Sequence, residues 1–173
     1  ETLQNMYASK IEENKDNLDY LKETISLLKR VRCQDIEAYF AASGYAYQKE
    51  PSAEAAVGLA KQAVKKQDNA TAIKFFEEAI NLETDATAKA DYCYTLALLS
   101  FDANSYSKAR QYCQKALELN PNYGNAYLLI GKMYASTAKS VYPGDGVLAR
   151  AVYYAAIDKF QKAKSVDPSI ADE

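Results

Sequence analysis

Few side chains in this sequence come in the combinations that chemistry needs. The 173 residues include no histidine, which removes the commonest general base and the commonest transition-metal ligand together. Cys33, Cys93 and Cys113 could act as nucleophiles or ligands, but their separations match no zinc or redox spacing. Glu12-Glu13 and Glu77-Glu78 are paired carboxylates. Acid–base work needs two carboxyls in contrasting environments, and adjacency on a solvated helix face does not supply them. The glycines of Tyr142-Pro143-Gly144-Asp145-Gly146-Val147 invite a phosphate-loop reading. They lack the G-x-x-x-x-G-K-[ST] order and follow a predicted helix instead of a strand. One Asp is too few for a calcium loop. The expectation is a chain without catalysis, metal or cofactor.

Composition points the same way. Hydrophobic residues make up 49% and charged residues 25%, enough for a buried core in a soluble chain. Six glycines and four prolines leave little turn material, which favours long helices. No stretch approaches the roughly 18 consecutive apolar residues of a membrane span. Through Asp85 there are 11 basic and 15 acidic residues, and beyond it 10 and 8. Neither half is a basic footprint for nucleic acid. Lys29, Arg30 and Arg32, and Lys65-Lys66, fall at predicted helix ends, where cations complement the dipole. The chain starts at Glu1 without an initiator Met, which reads as a segment whose natural protein continues in both directions.

What must position these side chains is a set of helices. Periodicity and breaks predict them at about 2–13, 17–31, 35–48, 53–66, 69–82, 87–102, 105–119, 123–139 and 149–166. Ser52, Asp68, Asp85, Ser105 and Asn122 are the expected N-caps, and the short connections make neighbouring helices antiparallel. One spacing recurs three times: Ala72-x3-Phe76-x2-Ala79, Ala109-x3-Cys113-x2-Ala116 and Ala156-x3-Phe160-x2-Ala163. Thr84, Pro121 and Pro168 each follow five residues beyond the closing alanine. Upstream lie the complements Leu59-Ala60, Leu96-Ala97 and Ile130-Gly131, the last flanked by Tyr127 and Tyr134. Small residues let helix backbones approach, and larger ones fill the space beside them. Cys93 and Cys113 then occupy core positions as small hydrophobes, with a disulfide between them as the alternative.

This pattern resembles the tetratricopeptide repeat, W-x2-L-G-x2-Y, then A-x3-F, then P. The resemblance implies an all-α, right-handed α-α superhelix of antiparallel hairpins. Residues 1–14 would be one helix of a truncated upstream repeat, and 17–51 a degenerate hairpin. Repeats would follow at 53–89, 90–123 and 124–170. Ala56 and Cys93 stand where the family has Trp, and Thr84 where it has Pro. The copies start at Ala72, Ala109 and Ala156. Against the family period of about 34 residues, the last spacing carries an insertion between Tyr134 and Ala156. It would lengthen both helices of the third hairpin and project Tyr142 and Asp145 as a second partner-contact surface.

In such solenoids the first helices of successive hairpins line a groove for a peptide or protein segment. Carried over by position, the lining here is Glu54, Val57, Gly58, Lys61 and Lys65, then Asp91, Tyr94, Thr95, Leu98 and Asp102. The third rung is Asn125, Leu128, Leu129, Lys132 and Ser136. The two-carboxylate clamp of the chaperone-binding branch is absent: its positions hold Val57, Lys61, Thr95, Asn125 and Leu129. The expected activity is a non-catalytic protein-interaction scaffold. The alternatives are a structural array with homo-oligomeric or intramolecular contacts, or an accessory domain of a larger, cell-envelope protein. The segment is also similar to the C-terminal region of exported bacterial tetratricopeptide proteins, which implies export, while three cysteines argue for a reducing compartment.

Overall fold

The computed structural model describes residues 3–141 and 147–170. Among these residues the chain forms α1 (Leu3–Glu13), α2 (Leu18–Arg30), α3 (Glu37–Lys49), α4 (Ala53–Lys65) and α5 (Asn69–Leu82). Then come α6 (Ala86–Asp102), α7 (Tyr106–Leu119), α8 (Gly124–Val141), α9 (Val147–Val166) and a 3₁₀ turn at Pro168–Ile170. No described residue is in a strand. Two compact units result, residues 1–84 and 85–173.

Helix starts follow local chemistry with two corrections. Ser52, Asp68 and Asp85 accept from the backbone N–H three residues on, as expected of caps. Ser105 stands at the N-cap of α7, but its side chain makes no capping bond. Asn122 is not a cap, because α8 begins only at Gly124. Asn122 instead lies in a turn where Asn120 Oδ1 accepts its N–H at 3.0 Å. Asn17, an unforeseen cap, opens α2 by accepting from Tyr20 N–H.

Three hairpins turn by one device. After α2, α4 and α6 come Arg32, Gln67 and Asn104, all left-handed, at φ 58°, 58° and 55°. The next N–H reaches back five residues: Cys33 to Leu28 O, Asp68 to Ala63 O and Ser105 to Ser100 O, at 2.8, 2.9 and 2.8 Å. This satisfies carbonyls that each helix end leaves open. None of the three positions is glycine, so the device is hidden in the sequence.

In the first unit, Leu21, Ile25 and Leu28 of α2 are buried in one cluster with Tyr39, Phe40 and Ala42 of α3. Their spacing puts them on one helical face. Gly58 of α4 is pressed onto Ser43 of α3, so a Cβ there would fall on the Ser43 side chain. The motif residues Ala72, Phe76 and Ala79 of α5 are buried.

In the second unit the corresponding Ala109, Cys113 and Ala116 of α7 are buried, as are Cys93, Leu96 and Ala97 of α6. All three cysteines are free thiols. Helices α8 and α9 run 18 and 20 residues. Gly131 lets α8 approach α9, a Cβ there coming within 2.7 Å of Phe160 Cδ1. Gly124 plays the same part at the far end, where a Cβ would meet Asp167 Cβ at 2.7 Å and Ile170 Cδ1 at 3.0 Å.

Candidate functional site

Among the described residues singled out for chemistry, Glu12, Glu78, Cys93 and Cys113 serve the structure. Glu12 accepts from Lys15 Nζ and from Tyr45 Oη, both at 2.6 Å, and Lys15 chiefly, then Tyr45, hold its carboxyl below the usual range. Tyr47 Oη donates to Glu78. Burial raises the Cys93 thiol and pushes Cys113 up to about 12, so neither is a thiolate at neutral pH. No cluster of ligand-type residues suited to a metal occurs among the described residues. No described helix is long and apolar enough to cross a membrane.

The expected groove residues of the first unit sit on α4. Val57 is only 7% exposed, and Gly58 is covered by Ser43 and Tyr39. The α3–α4 approach thus buries Gly58, and little of Val57 meets solvent. Lys61 and Lys65 remain, tied to the segment between α2 and α3. Lys61 Nζ donates to Gln34 Oε1 at 2.8 Å. Burial lowers its pKa, Lys29 nearby adding to the effect. Lys65 Nζ donates to Asp35 O at 2.9 Å and Glu37 Oε1 at 3.1 Å, and lies 5.2 Å from the Phe40 ring centre. Glu54 pairs with Lys29 at 3.5 Å. Each cation of this rung already has a partner.

The second unit differs. On α6, Asp91, Tyr94 and Leu98 follow at helical spacing, and α6 packs beside α8. Tyr123, which the sequence did not single out, joins the two: its hydroxyl donates to Asp91 Oδ1 at 2.7 Å. Its ring lies 5.3 Å from that of Tyr94. Burial first, and then Asp91, raise the Tyr123 pKa. Tyr94 is thereby fixed and half-buried, whereas Leu98 is 37% exposed. Asn125 is half-buried and Lys132 exposed. Leu128, 8% exposed, belongs to a cluster with Ala163 and Ile170. Tyr142 and Asp145 lie outside the described residues.

Besides Leu98, large apolar side chains are exposed at Met6, Val31, Val64 and Leu82 and, on α9, at Val147, Tyr153, Tyr154 and Ile157.

Against known proteins, the profile of the tetratricopeptide repeat family matches residues 90–123, which run through α6 and α7. Two solved structures of MamA are similar over nearly the whole chain. One has a TM-score of 0.71 at 19% identity, covering 98% of this chain and 90% of MamA. The other has a TM-score of 0.69 at 20% identity, covering 97% and 82%. YrrB, described as a TPR protein with an unusual peptide-binding site, has a TM-score of 0.56 at 22% identity, covering 95% and 94%. The fold is thus the all-α helical-repeat solenoid of these proteins, and residues 90–123 match a tetratricopeptide repeat.

Proposed function

We propose that the chain is a non-catalytic scaffold that binds a peptide or protein segment, and that α6 and α8 carry the contact. The hairpins α2–α3, α4–α5, α6–α7 and α8–α9 serve as its repeat units. One observation carries this reading: on α6 an exposed leucine, Leu98, follows a tyrosine held in place by Tyr123 and Asp91. A fixed aromatic beside an open apolar side chain, with polar groups at the margin, is the composition of binding hot spots. The unusual peptide-binding site of YrrB, a protein of similar fold, supports the same class of activity.

Panning a random-peptide display library on the chain tests it. Selected peptides are expected to lose about tenfold or more in affinity for Leu98→Glu and Tyr94→Ala, with helix content unchanged by circular dichroism. Selected peptides that bind both variants as well as the parent would refute the α6–α8 assignment. Tyr154 and Ile157, 66% and 45% exposed, favour a second reading, in which α9 makes homo-oligomeric or intramolecular contacts. Light scattering across a concentration series tests the homo-oligomer: a species that stays monomeric removes it.

A further inference from the structure

Between α8, α9 and the 3₁₀ turn lies a cavity of about 280 Å³. Leu128, Phe160, Ala163 and Ile170 form its apolar part, and Gln161, Lys132 and Lys164 complete the lining, the lysines coming one from each helix. Both lysines are exposed. Among the described residues neither has a carboxylate within ion-pair distance. The carboxylate next along the chain, Asp167, is engaged by Ser169, accepting from its N–H at 3.1 Å and its hydroxyl at 2.6 Å. Lys159 and Lys162, farther round α9, lie over the ring of Tyr127 at 5.9 and 6.0 Å. Residues 124–170 hold six basic and three acidic side chains, opposite in sign to the chain's net charge of −2.

We infer that this cavity receives an apolar side chain presented by an acidic peptide segment, the carboxylates flanking the anchor meeting Lys132 and Lys164. The inference rests on the peptide-binding reading above and adds the partner's chemistry at the α8 end. The cavity is large enough for a leucine- or phenylalanine-sized group, and its apolar wall gains by losing water. Two cations in its lining, one from each helix, then select a segment with acids beside the anchor. The Lys61 and Lys65 face of α4 offers no such selection, since its cations are already bonded.

The probe is a fluorescein-labelled Asp-Asp-Glu-Phe-Glu-Asp peptide, followed by anisotropy at low salt. Its controls are an Asn/Gln analogue and an analogue with Ser for Phe. Saturable binding is expected, weakened about tenfold or more by either analogue and by Lys132→Glu with Lys164→Glu. Both lysines are exposed, so the variant keeps its fold, checked by its melting transition. Methyl resonances of Leu128 and Ile170 should shift on addition of the peptide. Equal binding of the neutral analogue, or full binding by the double variant, would overturn the inference. So would binding of phosphatidylserine vesicles without binding of the peptide, or a charge-dependent dimer that occupies the cavity. If display-selected peptides depend on Leu98 while the acidic probe does not bind, the scaffold reading stands and this one falls. If no peptide binds at all, both fall.

Discussion

Under the proposed repeat division the α4 face of the first unit and the α6–α8 face of the second are counterparts, yet the cations of one are bonded within its own chain while the other exposes Leu98. On α4 a glycine draws α3 into contact, Val57 is buried, and both lysines are bonded to residues 34–37. On α6 Asp91 accepts instead from Tyr123, whose ring meets that of Tyr94, and Leu98 is left exposed. Equivalent position in a repeat therefore does not confer equivalent availability. Which face stays open is decided by what the neighbouring helix already occupies.

The helix approaches offer the strongest way to break this comparison. At Gly58 the obstacle is Ser43 Cβ as well as its Oγ, which donates to Tyr39 O at 2.8 Å. Rotation about χ1 cannot move a Cβ, so Gly58→Ala must push α3 and α4 apart. Overpacking of this kind costs about 3 kcal/mol. At Gly131 the obstacle is the edge of the Phe160 ring, which can turn aside. Phe160 is only half-buried, and Gly131→Ala should cost about 1 kcal/mol, partly offset by alanine's better helix propensity. Urea unfolding of the two variants measures both; equal losses would show that the two approaches are equally rigid.

Next in size is the difference between the two faces in binding. For display-selected peptides, Leu98→Glu should reduce affinity about tenfold, whereas Lys61→Glu, whose parent side chain is already paired to Gln34, should change it by less than about threefold. Isothermal titration measures the pair. A larger loss at Lys61 than at Leu98 would reverse the assignment of open and closed rungs.

Smaller still is the effect of the turn device shared by both units. Arg32 and Gln67 adopt φ 58°, a region where a Cβ costs about 1 kcal/mol and glycine does not. Arg32→Gly and Gln67→Gly should each raise stability by about 0.5–1 kcal/mol, since no helix interior is affected. Asn104→Gly in the second unit should give less, because Asn tolerates the left-handed region better. Thermal unfolding ranks the three, and a destabilised Gln67→Gly would refute the argument.

What was legible in the sequence divides along the same physical line. Helix limits follow from local signals, so Ser52, Asp68 and Asp85 cap where their side chains suggest. Core membership follows from periodicity: Phe76, Cys113 and Ala163 are buried as the repeated spacing requires. The rest depends on partners distant in sequence. Nothing near Gly58 reveals that Ser43 lies on it, and nothing in Pro121-Asn122-Tyr123 reveals that Tyr123 reaches Asp91, 32 residues back. Leu128 packs in one cluster with Ile170, beyond the far end of α9, which no helical register shows. The turns after α2, α4 and α6 carry no local signal, because Arg, Gln and Asn stand where a glycine would announce them.

Two phenols supply the finest contrast between the units. Tyr47 donates to Glu78, and that bond is the first cause raising its pKa to about 12. Tyr123 donates to Asp91, but there burial comes first and the carboxylate second. In both, the folded pKa lies above the ordinary value, so the associated stability is complete below pH ~10 and lost as pH rises through the folded pKa. The two should nevertheless respond differently to loss of the acid. Glu78→Gln removes the principal cause and should return Tyr47 close to an ordinary phenol. Asp91→Asn leaves the burial in place, so Tyr123 should still ionise late, only somewhat earlier than before. Alkaline titration of ring-labelled tyrosine by NMR resolves the two residues. If Asp91→Asn returned Tyr123 to the ordinary range, the carboxylate, and not packing between α6 and α8, would be what holds that phenol, and Tyr94 beside it would be less firmly set than the open α6 face requires.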